Sequence, residues 1–210
     1  MKKLIKGIIE FRRSSLEEYR TKFSKLALEH KPDALFVACC DSRVVPNVFA
    51  SSDPGDLFVV RNLGNLVPPY HCTSKDDYER DISVSAAIEF SLLGLNIRDI
   101  IICGHSSCGA MHALMNHNVE SKCLNQWLEY AAPSYKKFEK MGVFDTELTQ
   151  CDLLSQINVL QQLDNLKTYP LVKERLQNNT LRLHGWWFDL ETADVYIYDQ
   201  KDEKYVLIQE

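Results

Sequence analysis

The first half of the chain contains three short, mostly apolar runs that lack the alternation of a half-buried strand. They are ALFVACC at 34–40, LFVVRN at 57–62 and DIIICG at 99–104. Such runs, rich in β-branched and aromatic residues, are typical of strands buried on both faces of a parallel sheet. Two later segments, TLRLHGWWFDL at 180–190 and ADVYIYD at 193–199, predict two further strands joined by a turn.

Apolar residues at helical spacing fill much of the chain between and around these strands. A capping box at Ser14 or Ser15 predicts the start of one helix, which ends before Pro32. The other predicted helices are 81–93 (closed by Gly94), a helix opened by CGAMHALMNH at 108–117, and the segments 121–140 and 147–169. Because strands and helices alternate in the middle of the chain, we predict an α/β fold with a largely parallel sheet and helices on its faces.

The composition is that of one globular domain. The chain has 210 residues, of which 45% are hydrophobic and 25% are charged. A chain of this length buries enough surface to fold without disulfides or metal. Within the single domain 1–210 we distinguish an N-terminal helical arm (1–31), an α/β core (32–120), a helical segment (121–178) and C-terminal strands (179–210).

The charge distribution argues against nucleic acid and membranes as partners. The net charge is −5 and no block of basic residues is present, so the electrostatic footprint of a protein that binds nucleic acid or anionic lipid is missing. No apolar run approaches the roughly 20 residues that span a bilayer. The start, MKKLIKGIIEFRR, is basic like a signal peptide, but Lys6 and Glu10 interrupt its apolar stretch and no small-residue cleavage site follows. We therefore expect a cytoplasmic protein.

The seven cysteines are an odd number scattered along the chain and give no disulfide framework. Cys39 ends one apolar run, and His105 and Cys108 follow another. Ligands of an open parallel sheet bind at the carboxyl ends of its strands, so these three side chains are candidates for one site. Two thiolates and an imidazole suit zinc, and three protein ligands leave a fourth position open, as in catalytic zinc sites. The alternative is that the cysteines are ordinary core residues.

Asp41 and Arg43 place a charged pair beside the candidate zinc ligands. They follow Cys39 at i+2 and i+4, so in extended backbone all three share one face. An acid and a base directly after a buried strand need each other or a ligand. A purely structural ion pair at the strand end is the alternative interpretation.

Four motifs resemble those of the β-class carbonic anhydrases. They are CCDSRVVP at 39–46, RNLGNLVPPY at 61–70, GHSSCGA at 104–110 and HGWWFD at 184–189. The resemblance runs from about Ser15 to Asp199, with the motifs in order and at suitable gaps. Motifs that occur together in this way are highly specific for the family.

The resemblance implies zinc-dependent reversible hydration of carbon dioxide to bicarbonate and a proton by zinc-bound hydroxide. It implies Cys39, His105 and Cys108 as the ligands of one Zn²⁺ per subunit, with Asp41 and Arg43 as the catalytic dyad. It also implies a four-stranded parallel core with an added edge strand, hence a sheet of four or five strands. Family members are dimeric and often tetrameric, so we expect a homodimer or homotetramer in which the early helices pack on the partner subunit.

The sequence resembles the branch of the family that lacks a bicarbonate-controlled switch. Switched members resemble one another in a Trp three residues before the first zinc cysteine, where this chain has Phe36, and Phe188 stands where a Tyr is expected. VPPY at 67–70 also resembles the unswitched branch, so we expect an open, constitutively active site. Many relatives have Gln where this chain has His30. The candidate residues of the substrate pocket or of the surroundings of the ligands are His30, Phe36, Val67 and Gly109.

The remaining cysteines and histidines have simpler interpretations. Cys40 and Cys103 are expected to pack in the core. Candidate proton shuttles, chosen because the ordinary pKa of histidine lies near neutrality, are His71, His112 and His117.

Glycines near the candidate ligands predict close approaches of the backbone. Asn62, Gly64 and Asn65 are expected to form a tight loop near the site. Gly104 and Gly109 are expected to let the backbone come close to the zinc loop.

Two other functions fit the same residues. A hydrolase of carbon disulfide or carbonyl sulfide would share the fold and the ligands but differ in its access route. A zinc-binding protein without activity is disfavoured by the Asp41–Arg43 pair, because a structural zinc site fills its fourth position with protein.

Overall fold

A six-stranded sheet lies at the centre of the protein. The computed structural model describes residues 1–71, 82–116, 120–142 and 148–209. The strands in these residues are β1 (Ala34–Cys39), β2 (Leu57–Asn62), β3 (Asp99–His105), β4 (Arg182–Phe188), β5 (Val195–Asp199) and β6 (Lys204–Leu207). Their order is β2-β1-β3-β4-β5-β6; the first four are parallel, and β5 and β6 pair antiparallel.

This sheet confirms the predicted α/β fold and has six strands rather than the four or five expected. The additional strand is β6, which pairs with β5 from Asp199↔Lys204 to Tyr196↔Leu207. The sequence signal for it is weak because β6 has only four residues, all exposed or half-buried, and its apolar stretch is short.

Helices flank the sheet within the described residues. They are α1 (Lys2–Ser14), α2 (Leu16–Leu26), α3 (Pro46–Phe49), α4 (Ser83–Leu93), α5 (Gly109–Asn116), α6 (Lys122–Leu128), α7 (Ala132–Met141), α8 (Gln150–Leu166) and α9 (Pro170–Gln177). In this part of the chain, no helix has the length and apolar character needed to cross a membrane.

Helix boundaries differ from the sequence prediction at several places, and the predicted helical segment 121–140 forms two α-helices, α6 and α7. The predicted capping box is wrong, because the Ser14 hydroxyl donates to the carbonyl of Glu10 (2.9 Å) inside α1 and Ser15 makes no side-chain cap. Pro170 begins α9 rather than simply following the end of a helix. Proline is tolerated there because the first turn of a helix does not use its backbone N–H groups.

Burial of the central strands explains their uninterrupted apolar sequences. All six residues of β1 are buried. Leu35 and Val37 face one core cluster, which includes residues of α4 and α8, and Phe36 and Ala38 face another on the opposite side of the sheet. The parallel pairing of β1 with β3 brings their carboxyl ends to the same edge of the sheet, where the candidate ligands lie.

Candidate metal centre

Cys39, His105 and Cys108 converge at this edge of the sheet. Their sulfur and nitrogen atoms all lie within 4.8 Å of one another, and all three residues are buried. Cys39 is the last residue of β1 and His105 the last of β3. The turn that follows contains Ser107 with a left-handed φ of 53°, and it places Cys108 immediately before α5.

One ring nitrogen of His105 is available for a metal. Nδ1 lies 2.8 Å from the carbonyl oxygen of Ser106. Because a carbonyl only accepts, Nδ1 carries the proton and Nε2 is left with a lone pair. Nε2 is buried and has no hydrogen-bond partner among the described residues. An unpaired buried nitrogen is costly, and a cation between Nε2 and the two sulfurs removes that cost.

The two thiols form a coupled pair. A hydrogen bond from Cys108 holds the pKa of Cys39 well below its usual range, and the Gly64 N–H also favours the Cys39 thiolate. The same bond, together with burial, raises the pKa of Cys108. The pair therefore holds one proton between two sulfurs, and a divalent cation would displace it. Two thiolates and one imidazole are a donor set that suits zinc.

Asp41 and Arg43 form a bidentate ion pair beside these ligands. Arg43 donates from Nε to Asp41 Oδ1 (3.0 Å) and from a terminal nitrogen to Asp41 Oδ2 (2.7 Å). The backbone N–H of Arg43 donates a third bond to Oδ1 (2.9 Å). The Arg43 hydrogen bonds hold the pKa of Asp41 well below its usual range, so the carboxylate is ionised at neutral pH. Arg43 also donates to the carbonyl of Ser107 (3.3 Å), which connects the dyad to the turn between His105 and Cys108.

Arg61 supports the segment that carries Cys39 and Asp41, a role that the sequence does not reveal. Its guanidinium donates to the carbonyl of Cys39 (3.1 and 2.8 Å) and to the carbonyl of Asp41 (2.6 Å). The available signal is a charged residue near the end of β2, a strand predicted to be buried whose residues the structure shows as half-buried or exposed. Its partners become visible only through the register that pairs β2 with β1.

Helix α8 supports the turn of the other two ligands. Asp152 accepts from the backbone N–H of Ser107 (2.6 Å) and from the hydroxyl of Thr149 (2.6 Å). Ser155 donates to the carbonyl of His105 (2.8 Å). Thr149 and Asp152 are three residues apart, as in a capping box, and this spacing is the sequence signal for the buried acid.

The tight loop predicted at Asn62, Gly64 and Asn65 is confirmed. Gly64 has a φ of 79°, and its N–H donates to the sulfur of Cys39 (3.4 Å). At Gly109 a Cβ would meet no atom of the described residues within 4 Å, so no contact within this part of the chain requires that glycine. At Gly104 a Cβ would lie 2.7 Å from the side chain of Val159. The absence of a side chain at Gly104 therefore allows α8 to pack closely against β3.

The other predicted pocket residues, His30, Phe36 and Val67, have three different surroundings in this chain. His30 is exposed, with its ring 6.1 Å from that of Phe58 near the start of β2, at the opposite end of the strands from Cys39. Phe36 packs on Phe49 and Trp186 on the sheet face opposite Val37. Val67 is buried, and its backbone is hydrogen-bonded to side chains of α8.

Of the remaining cysteine and histidine predictions, one is confirmed, one is wrong and the others stay predictions. Cys103 is buried as expected, and this burial raises its pKa. Cys40 is exposed, so its assignment to the core is wrong: β1 ends at Cys39 and the alternation of a strand no longer applies. His71 and His112 are exposed and stay candidate shuttles, whereas His117 lies outside the described residues.

Comparison with known proteins identifies the family. The family model described as carbonic anhydrase matches residues 34–195. A carbonic anhydrase of Pseudomonas aeruginosa is 36% identical over all of this chain and 93% of its own length. One from Helicobacter pylori strain J99 is 32% identical over 97% of this chain and 93% of its own.

Solved structures give the same result at the level of the fold. The β-carbonic anhydrase CcaA is 35% identical, with a TM-score of 0.90 over 100% of this chain and 92% of its own. A β-carbonic anhydrase from Sordaria macrospora, described as tetrameric, is 25% identical, with a TM-score of 0.80 over 93% of this chain and 95% of its own. The chain therefore belongs to the β-class carbonic anhydrases, enzymes that interconvert carbon dioxide and bicarbonate.

Proposed function

We propose that the protein hydrates carbon dioxide reversibly to bicarbonate and a proton, at one zinc ion per subunit held by Cys39, His105 and Cys108. The observation that carries this proposal is the meeting of two coupled thiols with a buried, unpaired imidazole nitrogen. Three protein ligands leave a fourth position for solvent. When bound, zinc supplies the Lewis acidity that lowers the pKa of a water molecule to near neutrality.

The carboxylate of Asp41 orients the attacking oxygen. Ionised at neutral pH, it accepts a hydrogen bond from that oxygen and directs a lone pair towards carbon dioxide. Arg43 occupies both carboxylate oxygens, which keeps Asp41 from becoming a fourth protein ligand. Phe36 and Phe188 pack in the same aromatic cluster and provide no phenol or indole for a bicarbonate-controlled switch. We infer an open site that is constitutively active.

A second copy of the chain is the proposed partner. Neither α1 nor α2 contains a buried residue, and Leu4, Ile5 and Ile8 of α1 are each more than half exposed. An unpartnered apolar face of this kind is typical of an oligomer interface. Light scattering on protein eluted from a size-exclusion column measures the mass of the assembly and so distinguishes a dimer from a tetramer. Ile5→Lys should lower the mass, whereas Lys6→Gln, on the same helix, should not.

The experiment that tests the function compares two isosteric substitutions. Asp41→Asn replaces the carboxylate by a neutral amide, in which one of the two acceptor oxygens becomes an NH₂ donor, and should lower stopped-flow hydration of carbon dioxide by about 100-fold. Asp164→Asn alters an exposed carboxylate that pairs with Lys137 and Lys167 and should leave the rate unchanged. Equal rates in the two variants, at equal zinc content, would contradict the proposal. Greater turnover of carbonyl sulfide or carbon disulfide by the wild type would favour the hydrolase alternative.

A further inference from the structure

The peptide group between Leu63 and Gly64 is hydrogen-bonded at both of its ends. Its N–H, from Gly64, donates to the sulfur of Cys39 (3.4 Å). Its carbonyl, from Leu63, accepts from the indole N–H of Trp127 (2.8 Å). Trp127 lies on α6 and is half-buried, so this second bond connects a separate helix to a ligand of the proposed zinc site.

We infer that Trp127 is a positioning residue for Cys39, acting on its sulfur through this peptide group. A hydrogen bond accepted by a carbonyl polarises the amide and strengthens the bond that its N–H donates. A hydrogen bond to a metal thiolate withdraws electron density from the sulfur and fixes its orientation. Trp127 thus tunes the sulfur without touching it. The inference rests on the proposed zinc site.

The neighbouring peptide group is held just as firmly, so the Gly64 N–H has a fixed direction. The carbonyl of Gly64 accepts from the side-chain amide of Asn158 on α8 (3.1 Å). Asn158 is 1% exposed, and its own oxygen accepts from Ser134 (3.0 Å) and Gln162 (2.9 Å). A Cβ on Gly64 would lie 3.0 Å from the Cβ of Ala110, so α5 closes the third side of the loop.

Trp127 also packs against Tyr130, with ring centroids 5.4 Å apart, so a test must separate tuning of the sulfur from loss of packing. Trp127→Phe keeps an aromatic ring and removes the donor. Trp186→Phe is the matched control: it makes the same change at an indole N–H that is buried and has no hydrogen-bond partner among the described residues. Both variants lose similar packing volume, but only one loses the bond to Leu63.

The readout is the sulfur-to-metal charge-transfer band of the cobalt-substituted protein. A thiolate whose hydrogen bond is weakened becomes a better electron donor, so the band of Trp127→Phe should move to lower energy than in the wild type. Zinc affinity, measured against a chelator, should fall by about tenfold, as is typical when a partner of a metal ligand is removed. Trp186→Phe should change neither quantity. An unshifted band in folded Trp127→Phe, or an equal shift in the control, would overturn the inference.

A second measurement on the wild type does not depend on folding of the variant. The chain has only 8 glycines, so protein labelled with ¹⁵N-glycine and loaded with ¹¹³Cd gives few amide signals. A hydrogen bond from Gly64 to a metal-bound sulfur produces coupling between ¹¹³Cd and that amide, and absence of coupling would overturn the inference. A wild type without any thiolate-to-cobalt band would instead overturn the proposed zinc site, so the two failures are distinguishable.

Discussion

Arg43→Ala isolates what holds Asp41 away from the zinc position. The substitution removes both side-chain bonds to the carboxylate and leaves only the bond from the backbone N–H of residue 43 to Oδ1. Oδ2 then has no partner among the described residues and the carboxylate is free to rotate. It no longer orients the attacking oxygen, and it can occupy the fourth position on zinc itself.

The size of the effect follows from geometry rather than from a change of charge. Without the Arg43 hydrogen bonds the pKa of Asp41 rises from its lowered value towards about 3.9, the ordinary value for Asp. The carboxylate therefore stays ionised between pH 6 and 9, and its protonation cannot cause a loss of rate there. Displacement of a reacting group by about 1 Å costs roughly 100-fold. We expect kcat to fall by about that factor across this pH range.

Stopped-flow hydration and metal analysis of the same preparation test this prediction. The matched control is Arg182→Ala, because Arg182 forms an equivalent bidentate ion pair with Asp99 (2.7 and 2.6 Å). This pair lies at the start of β4, at the opposite end of the strands from the ligands. Arg182→Ala should retain the wild-type rate. Loss of zinc from Arg43→Ala would refute the reasoning, since Arg43 would then hold the metal site together rather than keep Asp41 in place. An unchanged rate would refute it as well.

Three further predictions concern stability and zinc binding. Gly104→Ala places a Cβ 2.7 Å from Val159 and should lower the free energy of unfolding by about 1–3 kcal/mol, measured by urea denaturation; an unchanged midpoint would show that α8 shifts freely. Asp152→Ala removes the acceptor of the Ser107 N–H and should weaken zinc binding by about tenfold in a chelator competition, unlike Asp164→Ala. Hydrogen bonds from Arg182 lower the pKa of Asp99, so the ionised carboxylate stabilises the fold above its unfolded pKa of about 3.9, and this stabilisation is lost as the pH falls. Asp99→Asn should therefore destabilise the protein at pH 7. The difference from wild type, followed by thermal melts, should shrink below pH 4.

The sequence predicts the parts of the site that depend on single strands. Buried runs end at Cys39 and at His105, and parallel pairing is enough to bring such ends together. The same local rule fails one residue later: Cys40 is exposed because the strand stops, and no sequence pattern marks that stop. Ser15 shows the same limit, since the two helices that meet there make no use of a capping hydroxyl.

The supporting residues depend on tertiary packing and are harder to predict. Arg61 and Asp152 contact backbone groups 20 and 45 positions away in the chain, at distances set by strand register and by the placement of α8. Asn158 lies on a helix face that is buried despite being polar. An amphipathic pattern would assign that face to solvent, so its role in holding the loop at Gly64 appears only in the folded structure.

X-ray absorption at the zinc edge, on protein purified without chelator, tests the metal centre most directly. The expected result is one zinc per chain with two sulfur ligands at about 2.3 Å and nitrogen or oxygen ligands at about 2.0–2.1 Å, and a sulfur count that falls by one in Cys39→Ser. Protein that folds and hydrates carbon dioxide without zinc, or whose zinc has no sulfur ligands, would contradict the assignment of Cys39, His105 and Cys108.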